Sequence, residues 1–371
     1  MKAIVIADDF TGAAEVAGIS LQYGFSSEIY FDTKFQCNNN VTIVCTDSRS
    51  KKLSTALAVV QSVVENIRHH KVDFLYKKTD SALRGHIVEE LLLQMKIMQQ
   101  QTALLVPANP SLGRTIINGT YFINGKPISE TAFAKDPEFP ITASNLKKIF
   151  KNKISIAQCI ESNLPTGIII GETKDRADVD CWATKTADNI LLAGAGDFFG
   201  ALLKKQYRLQ TIKPPVIQLP HLYVCGTAYK NRVASIKELS KKNEVVCYLS
   251  STDLQVVNKK NVAERIIPII KKQNKLILAV GDVPNMSAEE IRQQMAKIVF
   301  EVLKLFPVAE LFIEGGSTAA AILQNMKIKS MEAVGLFMRG VVQLKYNNLI
   351  ITVKPGSYEL PPVIKELHNL F

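Results

Sequence analysis

Ile4-Val5-Ile6-Ala7-Asp8-Asp9-Phe10-Thr11-Gly12-Ala13-Ala14-Glu15 is the stretch on which the reading of the fold turns. An apolar run stops at two adjacent carboxylates, and a Thr-Gly step followed by small residues then opens a helix. In an α/β sheet, ligands gather at the C-terminal edge of the strands, where loops and helix N-termini converge. An Asp at a helix start is also an ordinary N-cap, accepting backbone N–H bonds and suiting the dipole. Capping accounts for one aspartate. A second carboxylate at the same edge is costly to place unless a polar or cationic group meets it. Asp8 and Asp9 are therefore the candidate catalytic pair, fit to orient or deprotonate a hydroxyl or to face a Mg2+ ion.

Outward from this stretch, short β-branched runs alternate with amphipathic segments, the α/β pattern. Strands are expected at Ala3–Ala7, Val41–Thr46, Phe74–Lys77, Ala103–Pro107, Gly167–Gly171 and Ile190–Ala193. Leu53, Leu57, Val60, Val64 and Ile67 recur at helical spacing, as do Ile87, Leu91, Leu92, Met95 and Met98. Lys213–Pro220 carries three prolines in eight residues, which denies both helix and central strand and marks a linker. After it the alternation restarts, with strands expected at Leu222–Cys225, Glu244–Leu249, Leu276–Val280 and Glu310–Ile313. A ribbon, Val341–Tyr346 and Leu349–Val353, is expected near the end. The expected architecture is two α/β domains, 1–212 and 221–371, joined by 213–220. Each is a largely parallel sheet flanked by helices, with a ligand cleft between the two.

Three further constellations carry chemistry. Thr46-Asp47-Ser48-Arg49-Ser50 ends the second expected strand and should lie beside Asp8 and Asp9, with Arg49 as a carboxylate clamp. Lys77-Lys78-Thr79-Asp80-Ser81-Ala82-Leu83-Arg84-Gly85-His86 joins a strand to a helix and concentrates cations and hydroxyls suited to an anion. Arg84 can grip a carboxylate with two parallel hydrogen bonds, which a lysine cannot. The alternative is a surface loop in which Asp80 or Ser81 caps the helix. Pro107–Ile128, with Asn118-Gly119 and Asn124-Gly125, reads as a projecting β-ribbon that can serve as a lid or a dimer contact. In the second half, Glu314-Gly315-Gly316-Ser317-Thr318 is a strand-to-helix glycine turn of the kind that exposes backbone N–H groups to phosphate. Cys225-Gly226-Thr227 and Lys354-Pro355-Gly356-Ser357 offer comparable turns.

The bulk numbers set bounds. A chain of 371 residues, 47% hydrophobic and 21% charged, can bury substantial cores. No apolar stretch approaches the ~20 residues of a membrane span, and the first strand starts at once, so a cytoplasmic protein without membrane contact is expected. The net charge of +11 suggests anionic partners, nucleic acid or small phosphorylated and carboxylated molecules; the basic residues come in short pairs rather than the stripe of a nucleic-acid binder, and net charge alone favours no specific partner. The six cysteines form no C-x-x-C pair, which leaves free, reduced thiols as the expectation. No Gly-x-Gly-x-x-Gly follows the first strand, against a nicotinamide enzyme.

Taken in order, Asp8-Asp9-Phe10-Thr11-Gly12-Ala13, Lys77–Gly85, Pro107-Ala108-Asn109-Pro110 with Gly113-Arg114-Thr115, Glu130–Pro137, Ala193–Phe199, Gly315–Thr318 and Lys354–Ser357 resemble the four-carbon acid sugar kinase family. The resemblance implies an N-terminal acid-sugar-binding domain and a C-terminal nucleotide-binding domain. It implies transfer of the ATP γ-phosphoryl group to the terminal hydroxyl of threonate, erythronate or a 3-oxo-tetronate, with Mg2+ bridging the phosphates. Substrate contacts would fall on Thr11, Ser48, Arg49, Lys77, Lys78, Asp80, Ser81, Arg84 and Gly85. Nucleotide contacts would fall on Gly226, Thr227, Gly315, Gly316, Ser317, Thr318, Lys354, Gly356 and Ser357. The chain departs from the family in its second half, where Ser317 replaces an acid, Ala320 a glycine, and Pro355, Tyr358 and Glu359 alter the last turn. A regulatory protein that binds the acid sugar without transfer is the alternative.

Overall fold

The computed structural model describes residues 1–136, 139–161, 164–187, 189–226, 230–241, 245–281, 283, 285–356 and 358–370. They form two compact units, Met1–Ile212 and Lys213–Phe371.

The sheet of the first unit contains β1 (Ala3–Ala7), β2 (Ser27–Tyr30), β3 (Val41–Cys45), β4 (Phe74–Lys78) and β5 (Thr102–Val106). A small separate ribbon follows, made of β6 (Arg114–Ile117), β7 (Thr120–Ile123) and β8 (Lys126–Pro127). The main sheet is completed by β9 (Ser155–Ala157), β10 (Gly167–Gly171) and β11 (Ile190–Gly194). Its order is β2-β3-β1-β4-β11-β5-β10-β9, and every pairing is parallel. All-parallel sheets need both faces covered, which is why β1 and β3 are buried at every position and apolar at all but Thr42.

Helices α1 (Phe10–Gln22), α2 (Leu53–Ile67), α3 (Ile87–Met98), α4 (Leu146–Ile149), α5 (Arg176–Thr184) and α6 (Gly196–Lys204) complete the unit. Val60, Val63, Val64 and Ile67 of α2 pack on Ile4, Ile6 and Val44. Ile87, Val88, Leu91 and Met95 of α3 pack over Leu105, Ile168, Ile170 and Leu191. The apolar stripes are narrower than the spacing suggests: Leu53 and Leu92 are 41% and 45% exposed.

From β1 the chain passes to β2 and β3 on one side; from β4 it passes to β5 on the other. The crevice between β1 and β4 is the topological switch point at which parallel sheets bind ligands. In register, Ala7 lies between Cys45 and Lys78, so the residues after all three strands emerge together. The ribbon forms where expected, and both Asn-Gly steps have positive φ at each position, the geometry of a tight hairpin turn.

The second unit contains β12 (His221–Cys225), β13 (Val246–Leu249), β14 (Lys275–Val280), β15 (Glu310–Glu314), β16 (Ser330–Met338), β17 (Val341–Tyr346) and β18 (Leu349–Lys354). Their order is β13-β14-β12-β15-β18-β17-β16, antiparallel only where β17 meets β16 and β18. Its helices are α7 (Lys230–Ser240), α8 (Ser251–Gln255), α9 (Lys259–Gln273), α10 (Ala288–Leu305), α11 (Gly316–Asn325) and α12 (Pro362–His368). Lys213–Pro220 is held against this unit: Gln218 N donates to Glu310 Oε2 at 2.8 Å, and Gln343 Nε2 to Val216 O at 3.1 Å.

Strands β2, β9 and β16 escape the sequence reading. β2 and β9 are short and carry polar residues, and β16 alternates buried and exposed positions across two register shifts. The thiol expectation is corrected. Cys159 and Cys181 form a disulfide, with Cα atoms 6.2 Å apart. A separation of 22 residues is no motif; the return of the chain from β9 through β10 into α5 brings them together. Cys37, Cys45, Cys225 and Cys247 take part in no disulfide. No helix among the described residues is long and apolar enough to cross a membrane.

Gly194 closes β11 where the backbones crowd. A Cβ there would overlap the carbonyl oxygen of Val106, and φ is +155°. Backbone cannot yield as a flexible side chain can, so Gly194→Ala is expected to cost about 1–3 kcal/mol, read as a lower midpoint in equilibrium urea unfolding.

Candidate active site at the β1–β4 strand edge

Arg49 organises the strand edge. Its Nε and Nη2 donate to Asp8 Oδ2 and Oδ1 at 3.0 and 3.1 Å, and its Nη1 donates to Asp9 Oδ2 at 2.8 Å. Nη2 also lies 3.8 Å from Asp80 Oδ1. The backbone secures the same approach, since Arg49 N donates to Asp8 O at 3.2 Å. Asp9, a candidate site residue, is also the helix cap: Oδ1 accepts from Gly12 N at 2.8 Å and Oδ2 from Thr11 Oγ1 at 2.6 Å. A Cβ at Gly12 would stand 2.7 Å from Asp9 Oδ1, so this close approach requires glycine. Ser48 is buried and shares a hydrogen bond with Thr46 Oγ1 at 2.9 Å.

Successive strand residues point to opposite faces, and β4 separates its two lysines accordingly. Lys78 Nζ lies on the α1 face, 3.3 Å from Glu15 Oε2, and donates to Thr79 O at 3.1 Å. Lys77 lies on the other face, in a buried ion pair with Glu90 of α3. The two lysines expected to act together are therefore divided by the sheet.

The segment from Thr79 to Leu83 is buried, and α3 starts only at Ile87 with His86 as its N-cap residue. Neither Asp80 nor Ser81 caps it. Asp80 instead holds Arg84: Oδ2 accepts from Arg84 Nε at 2.6 Å and from Arg84 N at 3.2 Å, and Oδ1 accepts from Nη2 at 3.3 Å. Arg84 Nη1 reaches Asp136 Oδ2 at 3.1 Å. The loop requires a left-handed Leu83 (φ +64°) and a Gly85 at φ +93°, where the backbone passes against Arg49. Non-glycine residues hold such values only where surrounding structure enforces them; here Leu83 is anchored in the α3 core.

Several contributors were not assigned a role from the sequence. Arg114 of β6 donates to Ser81 Oγ, and Arg84 and Arg114 both lie over the Phe133 ring, 5.4 and 5.6 Å from its centroid. Asp197 of α6 accepts from Ser111 N and Ser111 Oγ, both at 2.9 Å, and its own N–H donates to Asn109 Oδ1 at 3.0 Å, tying the root of the ribbon to the sheet. The Gly-Arg-Thr and Gly-Asp-Phe steps are visible in the sequence, but their convergence depends on which strands are neighbours.

The electrostatics divide the carboxylates. Burial lifts the Asp8 carboxyl above its ordinary value, outweighing Arg49, and neighbouring Asp9 adds to the rise. Burial also opposes ionisation of Asp9, but Arg49, Lys78 and the Thr11 hydroxyl overcome it and hold the group below its ordinary value. Asp80 lies well below: burial raises it, and Arg84 and Arg49 more than reverse this. Asp8, Asp9 and Asp80 press Arg49 in turn to stay protonated, against its burial.

In the second unit, the ends of β12, β15 and β18 are laced together by Gly226 N to Glu314 O at 3.0 Å and Gly315 N to Lys354 O at 2.9 Å. Gly315 takes φ +112°, and a Cβ at Gly226 would overlap Thr318 Oγ1. α11 begins with no side-chain cap; Gly316 is half-buried, Ser317 exposed and Thr318 buried. Lys354 is committed internally: its Nζ is 3.0 Å from Glu314 Oε1 and donates to Pro355 O and Tyr358 O at 2.8 and 2.6 Å. Glu314 also accepts from Tyr223 OH and pairs with Arg232 at 3.3 Å. Gly356 is half-buried, and residues 227 and 357, Thr227 and Ser357, lie outside the described residues.

Residues 3–187 match the family model of a sugar-binding N-terminal domain. Along 96% of the chain and 95% of its relative, the sequence is 22% identical to a D-threonate kinase of Salmonella typhimurium. The first part of the chain thus matches a sugar-binding domain, and nearly its whole length is similar to kinases of four-carbon acid sugars. Its fold is shared with a Haemophilus influenzae crystal structure at a TM-score of 0.75, 17% identity and coverage of 99% of this chain and 100% of the other. A Bordetella bronchiseptica structure with bound citrate, a domain-swapped dimer, matches at a TM-score of 0.51 and 20% identity, covering 100% and 98%.

The depressed Asp80 carboxyl has a consequence for acid stability. A group whose folded pKa is depressed contributes stability above its unfolded value, and that contribution is lost as pH falls through the folded value. Asp80→Asn is expected to be less stable than the wild type at pH 7, by about 1–3 kcal/mol. The gap should begin to close only below about pH 4. Urea midpoints of both proteins from pH 7 to pH 3 check this.

Proposed function

We propose that the chain is an ATP-dependent kinase that phosphorylates the terminal hydroxyl of a four-carbon acid sugar, with threonate, erythronate and 3-oxo-tetronates as its candidate substrates. One observation carries the reading: Asp8 and Asp9 hold unequal positions around one buried arginine. Both Asp8 oxygens are bound by Arg49, and its side chain is 6% exposed. The Asp9 side chain is 18% exposed and is held ionised at the strand edge. Asp9 is accordingly the group that meets the attacking hydroxyl, and Asp8 positions it through Arg49.

The chemistry supports this division. Phosphoryl transfer asks a protein chiefly for positioning and for charge stabilisation, with a carboxylate to accept the hydroxyl proton. Asp9 is fixed by a cap, a hydroxyl and a guanidinium, so its orientation toward a bound hydroxyl is preset. Lys78, beside Gly12 and paired with Glu15, supplies positive charge next to Asp9. The Salmonella relative's name and the citrate bound in the Bordetella structure favour an acid of this class.

ATP supplies the phosphoryl group. The second unit fits an anion of that kind at the uncapped start of α11, where the N–H groups of the first turn have no side-chain acceptor. Gly226 and Gly315 let the strand ends close up behind it, and Lys354 supports the last turn from beneath. Among the described residues no group of three His, Cys, Asp or Glu forms a metal cage. Mg2+ is thus assigned to arrive with the phosphates, as it commonly does.

The test is ADP release from Mg-ATP with a panel of tetronates and their 2- and 3-oxo forms, for the wild type and Asp9→Asn. Asn caps a helix as well as Asp does, so the fold should stand. The variant should lose about 10²–10⁴-fold in kcat while the acid still raises its melting temperature. No turnover with any acid, with stabilisation by the acids alone, would overturn the kinase reading in favour of a binding protein.

A further inference from the structure

Two of the three arginines at the strand edge have their charge met within the protein. Arg49 is shared by Asp8 and Asp9, and Arg84 by Asp80 and Asp136. Arg114 differs. Its Nη1 donates to Ser81 Oγ, its face lies over Phe133 and its charge helps hold the Asp80 carboxyl down, but among the described residues it makes no ion-pair contact and its other guanidinium nitrogens make no hydrogen bond. A half-buried guanidinium with an unengaged edge retains the fork geometry that matches a carboxylate with two parallel hydrogen bonds.

The surroundings hold that fork still. Arg114 and Asn109 exchange backbone hydrogen bonds, Asn109 N to Arg114 O at 2.9 Å and Arg114 N to Asn109 O at 3.2 Å. The fully buried Asn109 side chain accepts from Asp197 N at the start of α6. Tyr121, buried on the neighbouring strand, donates to the carbonyls of Ser81 and Pro107. The root of the ribbon and the Asp80–Ser81 loop are thereby one fixed frame, and Phe133 sets the plane of Arg114 beside that of Arg84.

We propose that Arg114 receives the substrate's carboxylate, which makes the β6–β8 ribbon with Phe133 the element that selects an acid over the corresponding alcohol. This rests on the acid-sugar reading above and assigns the acid end to the ribbon rather than to Arg49 or Arg84. Phe133 is a positioning residue in this scheme.

The experiment is calorimetric binding to the full chain without nucleotide, so that it does not depend on phosphoryl transfer. The probes are threonate and erythronate, each against its carboxylate-free tetritol, threitol or erythritol. The wild type should prefer the acid. In Arg114→Gln the affinity for the acid should fall about 10–100-fold with the tetritol unchanged, so the preference collapses. Arg114→Lys, which keeps the charge without the fork, should recover only part. Ligand-free melting curves that match the wild type establish that the variants fold. An unchanged acid-to-tetritol ratio in Arg114→Gln, an equal loss for both probes, or a wild type without preference would each overturn the proposal. A wild type that releases no ADP, yet loses acid preference in Arg114→Gln, would uphold it and overturn the kinase reading instead.

Discussion

The first unit depends on a single buried guanidinium. A charge removed from water costs several kcal/mol unless charged and hydrogen-bonded partners replace the solvent. Arg49 meets that demand only where the ends of β1, β3 and β4 lie together, with Asp8 and Asp9 on one strand, Arg49 after the next and Asp80 after the third. Parallel pairing with β1 between β3 and β4 satisfies it. The same arrangement leaves the two aspartates unequal. Asp8 is consumed in gripping the cation, and Asp9 is left ionised and partly open, so one ion pair both closes the sheet edge and differentiates its acids.

Local rules then sort the neighbouring charges. The two-residue period of β4 sends Lys78 toward α1 and Lys77 into a buried pair with Glu90, so one lysine joins the edge and the other braces α3. The left-handed turn at Leu83 lets Asp80 fold back on Arg84 while the leucine side chain enters the core. The ribbon brings Arg114 and Phe133 from more than thirty residues along the chain to the same loop. Cations and carboxylates are thus interleaved, each fixed by its partners before any ligand arrives, which is the preorganisation that positioning chemistry requires.

In the second unit the strand ends are governed by backbone. Gly226 and Gly315 allow the ends of β12 and β15 to approach Thr318, while Lys354 is drawn down to Glu314 and two carbonyls. A fully buried lysine with those partners stabilises a turn. The first turn of α11 is left without a side-chain cap, the backbone feature on which the proposed nucleotide site rests. The departures from the family at Ser317 and Ala320 change side chains and leave this backbone feature in place.

The amino-acid sequence by itself determined the α/β class, the strands from β1 to β11 that are long and apolar, the Asn-Gly hairpin turns, and Asp8, Asp9, Arg49 and Asp80 as residues of one edge. Those signals are local: burial on both faces demands continuous apolar runs, positive φ demands Asn or Gly, and charges at a strand terminus have few other places to go. Only the tertiary structure decided that Lys77 and Lys78 part company, that Asp80 clasps Arg84 instead of capping a helix, that Cys159 meets Cys181, and that Lys354 turns inward. It alone placed Arg114 at this edge with no carboxylate in ion-pair contact among the described residues. Each of these depends on which strands become neighbours and which face a side chain takes, and both are fixed by pairing partners far away in the chain.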